Sequence, residues 1–533
     1  MPEKWEEIGA RKRAALLASI PKEWIIPEHL MPPENQVDVT IFPKESGWFT
    51  DRELEITDCD ATQLVKHLAS GEWSSEEVTK AFCKRASAAH QLTNCLSETL
   101  FESAVAAAKE CDTYLKQHKK PKGPLHGLPI SIKDNFNVEG VDTTVGFASW
   151  VGDPASYNST LVEILRELGA VLYVKTNVPT AMMIAESVNN VFGRTVNPLN
   201  RKLTSGGSSG GESALIAFKG SPLGVGTDIG GSLRIPAACT GIYTLRPSFG
   251  RFPTLRARSG LAGQEAVQSV NGPLARTLQD IELFSRAVVG AEPWYHDPRC
   301  VPLPWRNVEP KSKLRLGVMS HDGIVRPTPP VALALENTVA KLRAAGHDVI
   351  DWAPEGHKEI LDILAKFFVA DGGTSLRKIL APVNEPFRPE MKMYETAKDE
   401  GVYALWQVHL ARVEQQKRYL DRWNAAGIDA IICPTTPYAS VEHGDFKYVG
   451  YTGVFNILDY SAVSFPTGFT ASIDQEPHPP EASLTELCQD VQQRYNPEAV
   501  RGMPVSLQLV ARRLEEEKVL AMTATILEAL GQN

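Results

Sequence analysis

Residues 204–234 read TSGGSSGGESALIAFKGSPLGVGTDIGGSLR, two glycine–serine clusters joined by a helical and a strand-like segment. Glycines permit backbone shapes that other residues resist and let a ligand approach the main chain closely. The first cluster, Gly206 to Gly211 with Ser208 and Ser209 at its centre, precedes an apolar helical stretch. By residue type alone it reads as a tight turn with a helix cap, or as an anion cradle at a helix N-terminus. No G-x-x-x-x-G-K-[ST] spacing is present, so a nucleotide phosphate loop is not indicated. The second cluster, Asp228-Ile229-Gly230-Gly231-Ser232, directly follows the strand-like Leu223–Asp228. Successive main-chain N–H groups in such a turn can point into one concavity, which is what a tetrahedral oxyanion needs. Ser232 ends the turn, where a nucleophile would stand. The same residues also read as a turn plus an N-cap for a helix beginning near Leu233, and the two readings are compatible.

A serine hydroxyl is a weak nucleophile and needs a base. None of the twelve histidines sits in a G-x-S-x-G or other familiar arrangement. His126, beside Gly127, is the nearest to the glycine-rich stretch in sequence. Lysine is the alternative. Lys133 ends the apolar run Pro129-Ile130-Ser131-Ile132, and a lysine on the buried end of a strand loses hydration, which favours its neutral, proton-accepting form. Residue types alone leave both candidates open.

Three segments, HGLPISIKDNF, GGSSGG and GTDIGGSLRIPA, are similar in wording, order and spacing to the core motifs of the amidase signature family, with 24 residues from Ser208 to Ser232. GMPVSLQLVARRLEEEKVL resembles that family's C-terminal strand–helix segment, so the resemblance spans roughly residues 60–530. It implies a serine amidohydrolase that cleaves carbon–nitrogen amide bonds through an acyl-enzyme. Ser232 matches the nucleophile, Ser208 the bridging serine after a cis peptide, and Lys133 the general base. Ile229, Gly230, Gly231 and Ser232 match a main-chain oxyanion hole, Asp228 and Arg234 a supporting polar network, and Thr227 and the main chain of Met182 the site's lining. No core motif position departs from the pattern, and no cofactor or metal is implied. The opening MPEKWEEIGARKRAALLASIPKEW looks like the fungal acetamidase group, which implies small aliphatic or aromatic amides, or carbamates, as substrates. The alternatives are the glutaminase subunit of a tRNA-dependent amidotransferase, or a non-catalytic binding protein on the same fold.

Positioning such a site takes a scaffold. Helical periodicity covers 61–68, 75–89 and 98–117. From about residue 125 short apolar strands alternate with helices: strands at 129–134, 170–175, 223–228, 313–318, 347–351, 429–434 and 505–511, helices at 160–168, 211–218, 331–345, 402–424 and 514–530. This alternation predicts an α/β fold, a central mixed, mostly parallel sheet with helices on both faces. Residues 1–60 are expected to form an N-terminal helical arm and 61–533 the catalytic domain. The stretches 355–400 and 474–500 read as insertions or loops.

Composition narrows the partners. The 533 residues are 43% hydrophobic and 22% charged, enough apolar material for a large core. A net charge of −9 argues against nucleic acid. No apolar run approaches the ~18–20 residues of a membrane span. The eight cysteines form no C-x-x-C pair. The charged, helical start lacks a signal peptide's apolar region, so a cytoplasmic enzyme with a small-molecule amide substrate is expected, with a homodimer left open.

Overall fold

A computed structural model describes residues 3–532 except 476, 477, 480 and 481. Eleven strands form one sheet: β1 (Leu96–Thr99), β2 (Pro129–Lys133), β3 (Val171–Thr176), β4 (Leu223–Asp228), β5 (Tyr243–Arg246), β6 (Val270–Ala275), β7 (Arg315–Val318), β8 (Asp348–Asp351), β9 (Ala430–Pro434), β10 (Ala462–Thr470) and β11 (Pro504–Val510). Their order is β1-β3-β2-β4-β6-β5-β10-β11-β9-β7-β8. Every residue of β2, β3, β4, β6 and β9 is buried, which is why these strands read as apolar runs rather than alternating ones.

The sheet is mixed and carries helices on both faces, as the alternation predicts. The balance of its ladders differs from that expectation: four are parallel and six antiparallel. The reason lies in two insertions. β4 and β5, joined by the helix Arg234–Thr240, run in the same direction, but β6 slots antiparallel between them. β9 and β10, joined by the helix Gly450–Leu458, also run in the same direction, and β11 slots antiparallel between them. Strand–helix alternation reports relative direction correctly and is blind to a later strand returning into the gap.

Element boundaries follow the sequence closely, with three corrections. The periodicity at 98–117 covers two elements, because residues 96–99 pair with β3 and the helix runs from Phe101 to His118. The stretch 355–400 is largely helical: His357–Phe368 buries Ile360, Ile363, Leu364 and Phe367 on one face, a helical spacing, and Thr374–Leu380 follows. In 474–500 the helix Glu486–Gln493 buries Cys488 and Val491. The N-terminal segment, with helices Trp5–Ala18, Phe42–Glu45 and Asp51–Asp58, inserts Ile20, Val39, Phe42 and Ile56 into the largest hydrophobic cluster.

A buried ion pair pins the strand end that matters most for the site. Asp134, immediately after β2, accepts hydrogen bonds from Ser97 Oγ, Thr144 Oγ1 and the Val145 N–H, each at 2.8 Å. Lys175 of β3 lies 3.4 Å from it, and both side chains are fully buried. Removing one partner of such a pair leaves an uncompensated charge, at a cost of about 3–5 kcal/mol. Asp134→Ala is therefore expected to lower the thermal unfolding midpoint markedly, and Asp134→Asn less so, measured by circular dichroism.

Candidate active site

β2 and β4 are adjacent and parallel, so their carboxyl ends share one edge of the sheet, the place where open α/β sheets characteristically bind ligands. Lys133 is the last residue of β2, and Thr227 the penultimate residue of β4. Lys133 Nζ lies 2.7 Å from Ser208 Oγ and 2.7 Å from Thr227 Oγ1. The first glycine–serine loop brings in Ser208, and the Gly207–Ser208 peptide is cis. Lys133 is fully buried and Ser208 nearly so, whereas Ser232 is partly open. Ser208, Thr227 and Ser232 line one cavity.

Burial disfavours the lysine ammonium, while the negative charges of Asp228 and Glu212 favour it; burial prevails, and the Lys133 ammonium is lowered to about 7. A lysine in this state can take a proton from Ser208 near neutral pH. His126 precedes β2 at its opposite end, where its Nδ1 accepts the Lys122 N–H, and it plays no part in this cluster.

Ser232 does not cap the following helix. That helix begins at Arg234 with Leu233 before it and no side-chain cap, and Asp228 instead binds the turn that leads into it, accepting the Gly231 N–H at 2.8 Å and the Leu233 N–H at 3.2 Å. A buried carboxylate needs donors, and this one takes them from the turn. The consequence is that the Gly231 N–H is engaged. Among the described residues the N–H groups of Ile229, Gly230 and Ser232 have no protein acceptor, so three of the four expected oxyanion donors remain free. Gly231 has φ +135°, and a Cβ there would stand 2.2 Å from Thr452 Oγ1. Thr452 Oγ1 in turn donates to the Gly230 carbonyl at 2.7 Å, which holds the turn from behind.

Asp228 and Arg234 are paired through two hydrogen bonds of 3.0 and 3.1 Å, both side chains fully buried. Burial pushes the Asp228 carboxyl up, but the Arg234 guanidinium outweighs it and holds it at about 2. Arg234 also donates to Gln508 of β11 and Asn456 of the helix Gly450–Leu458, so the glycine turn before it is tied to two distant parts of the chain.

A family model for amidases matches residues 77–520. The chain belongs to the amidase family. It is 43% identical to the acetamidase of Emericella nidulans and 40% identical to that of Aspergillus oryzae, covering 99–100% of this chain and 99% of each relative. The solved structure of a fatty acid amide hydrolase superposes with a TM-score of 0.95 at 35% identity, over 99% of this chain and 95% of the other. This amidase is thus an amide-hydrolysing enzyme, which removes the non-catalytic reading.

Two cavities of this amidase meet at Ser232. One, of about 250 Å³, is lined by Asn135, Arg256, Gln264, Gln268 and Asn271 beyond the serines. The other, of about 280 Å³, is walled by Ile184, Ile235, Leu361, Leu364, Phe368 and Tyr448. Met182, Met183 and Ile229 belong to both. Ala181 and Met182 both have φ 60°, an uncommon backbone shape for residues with a Cβ. Among the described residues no group of three or more His, Cys, Asp or Glu side chains is placed to hold a metal ion.

Sequence reasoning missed Glu212, Thr452, Asn456, Gln508 and the apolar wall from 361–368. Gln508 left a signal, an amide side chain that with Ser506 interrupts the otherwise apolar run Val505–Val510. Phe368 and Leu364 left none that separates a site wall from a core helix. Gly231→Ala must displace Thr452 or the turn, and displacement of reacting groups by about 1 Å can cost ~100-fold. We expect kcat/KM for an amide to fall by about that factor, with a lowered unfolding midpoint as well, because a side chain at this φ is strained and clashes with Thr452. Near-normal turnover would mean that the turn does not hold the reacting oxygen.

Proposed function

We propose that this amidase hydrolyses small aliphatic and aromatic carboxylic amides, to acid and ammonia or amine, with Ser232 as nucleophile, Ser208 as proton bridge and Lys133 as base. The observation that carries the reading is the 2.7 Å contact from a buried, low-affinity lysine ammonium to Ser208, at a cavity that Ser232 also lines. Neutral Lys133 draws a proton through Ser208 from Ser232, and the Ser232 oxygen attacks the carbonyl carbon. The resulting oxyanion is held by the N–H groups of Ile229, Gly230 and Ser232, fixed in advance by the Asp228–Arg234 network. Ser208 hands the proton to the departing nitrogen. Amides have poor leaving groups, so this protonation is a large part of the task. Water then enters by the reverse relay and releases the acid, restoring Ser232. Thr227 accepts a second hydrogen bond from Lys133 and fixes its direction.

Two features support the substrate class. Full-length similarity to proteins named acetamidases supports small amides over a glutaminase subunit. The apolar chamber beside Ser232 suits a short acyl or phenyl group, and its methionine lining, Met182 and Met183, adapts to varied shapes. The polar chamber accommodates the amine side, which supports N-substituted amides as well as primary ones. No helix among the described residues is long and apolar enough to cross a membrane. We read the enzyme as cytoplasmic, with the segment 1–60 as an arm on the catalytic domain 61–533.

Ser232→Ala should abolish turnover and labelling by a fluorophosphonate while the fold persists. Ser208→Ala should retain a small residue of activity, because water can relay the proton. Retained labelling of Ser232→Ala would place the nucleophile elsewhere. Because Lys133 must be neutral, kcat/KM should rise with pH through about 7 and stay high in mildly alkaline buffer. Lys133→Ala and Lys133→Arg should both be nearly inert, since guanidinium does not release its proton in this range. Wild-type-like activity in Lys133→Arg would overturn the assignment. In an amide panel, propionyl and benzoyl amides should exceed oleoyl amide in kcat/KM, and the opposite order would refute the substrate class.

A further inference from the structure

Behind Lys133, away from the cavities, lies a buried carboxyl that the mechanism above does not use. Glu212 is fully buried on the helix Gly210–Ala217, which follows Ser208 directly. Ser131 Oγ donates to its Oε2 at 2.6 Å, and Thr176 Oγ1 donates to its Oε1 at 2.8 Å. Both donors belong to the strands that carry the base: Ser131 is two residues before Lys133 and so on the same face of β2, and Thr176 pairs with Lys133 in the β2–β3 register. The space for the carboxyl is made by Gly224 of β4, opposite Ser131, where a Cβ would stand 2.0 Å from Glu212 Oε2.

A buried carboxyl normally has a cationic partner, as Asp228 has Arg234 and Asp134 has Lys175. Among the described residues Glu212 is in direct contact with no cation, and Lys133 is the cation whose charge bears on it. The hydrogen bonds of Lys133 Nζ go to Ser208 and Thr227, so the two groups meet through space. The surrounding titratable groups come from every packed element. Asp228 of β4 is already matched by Arg234. Tyr173 of β3 donates to the Gly220 carbonyl. Cys95, before β1, and Cys83, on the helix Ser75–Thr93, are thiols that burial holds uncharged. Arg85 of that same helix is turned to the Phe218 carbonyl, Thr57 and Asp58. Burial pushes the Glu212 carboxyl up to about 8, while the Ser131 and Thr176 hydroxyls and the Lys133 charge favour its anion.

We propose that Glu212 is a positioning residue for amide hydrolysis, a buried carboxylate that stabilises the Lys133 ammonium formed when the lysine takes the serine proton. It rests on the reading of Lys133 as the base. The proton passes from Ser232 Oγ to Ser208 Oγ to Lys133 Nζ and returns by Ser208 to the leaving nitrogen, while Glu212 exchanges no proton and its anion is the form that the Lys133 ammonium favours. A carboxylate oriented behind a base in this way does what the aspartate does behind histidine in a Ser-His-Asp triad.

The test is the pH profile of Glu212→Gln, which keeps the shape of the side chain and removes its charge. Without the anion, Lys133 releases its proton at lower pH. The acidic limb of kcat/KM should move down by about one unit or more, and the plateau kcat should fall by about tenfold because the base is weaker. Thr176→Val removes one donor to the carboxylate without touching the β2–β3 ladder. It should shift the limb the same way by less, and it serves if Glu212→Gln does not fold. A limb that stays in place, with or without loss of kcat, would overturn the inference and leave Glu212 as a packing residue. Lys133→Ala, measured alongside, separates the two failures. If it is active, the base assignment falls. If it is inert while the Glu212→Gln profile superimposes on that of the wild type, only the role of Glu212 falls.

Discussion

The arrangement depends on one constraint, a lysine side chain with no exposed surface at the carboxyl end of a central strand. An ammonium there is expensive, because desolvation is not repaid by a directly bonded carboxylate. Its two contacts are hydroxyls, Ser208 and Thr227, which serve a neutral amine as well as an ammonium. Everything around the site adjusts that balance. Strand β2 must end where it does, so Asp134 and Lys175 tie its end to β1 and β3 on the other side. The nearby negative charge of Asp228 is largely matched by Arg234, which keeps it from restoring the lysine's ordinary proton affinity.

The second structural theme is how a flexible glycine turn is made rigid. Ile229 to Ser232 contains two glycines and is not a regular element. Asp228 holds it from the front through the Gly231 and Leu233 N–H groups, and Thr452 from behind through the Gly230 carbonyl. Arg234, Asn456 and Gln508 then connect the turn to a helix and a strand more than two hundred residues away in sequence. Donors held in place cost no rearrangement when charge develops beside them, and this network holds the turn's remaining N–H groups in place.

The contrast between the two chambers separates chemistry from selection. Residues of the glycine–serine motifs sit where the chambers meet, while the walls come from elsewhere: 254–271 on the polar side, 361–368 and 448–450 on the apolar side. Substitution in those walls can therefore reshape the chambers without disturbing the contacts among Lys133, Ser208 and Thr227.

Much of this molecule was legible in the amino-acid sequence. The three motifs name the residues of the cluster, and the apolar runs locate the strands that carry them, because a strand buried on both faces must be apolar throughout. Local rules also find most helices, whose hydrogen bonds close within a few residues. What the sequence left open are the relations between distant segments. Whether a returning strand pairs beside its predecessor or slips between two earlier ones is decided by packing across the sheet, and so β6 and β11 make the pairing more antiparallel than the alternation suggests. Which polar group meets the Gly231 N–H is likewise a matter of three-dimensional competition, won by Asp228. The stretch holding helix 357–368 reads as an insertion or loop, yet Leu361, Leu364 and Phe368 wall a chamber that exists only once the helix packs beside the turn. The sequence determined the candidate residues, because side-chain types at short spacings mark possible reactivity; the tertiary structure decided which groups surround them and the shape of the space between, because long-range contact has no local signature.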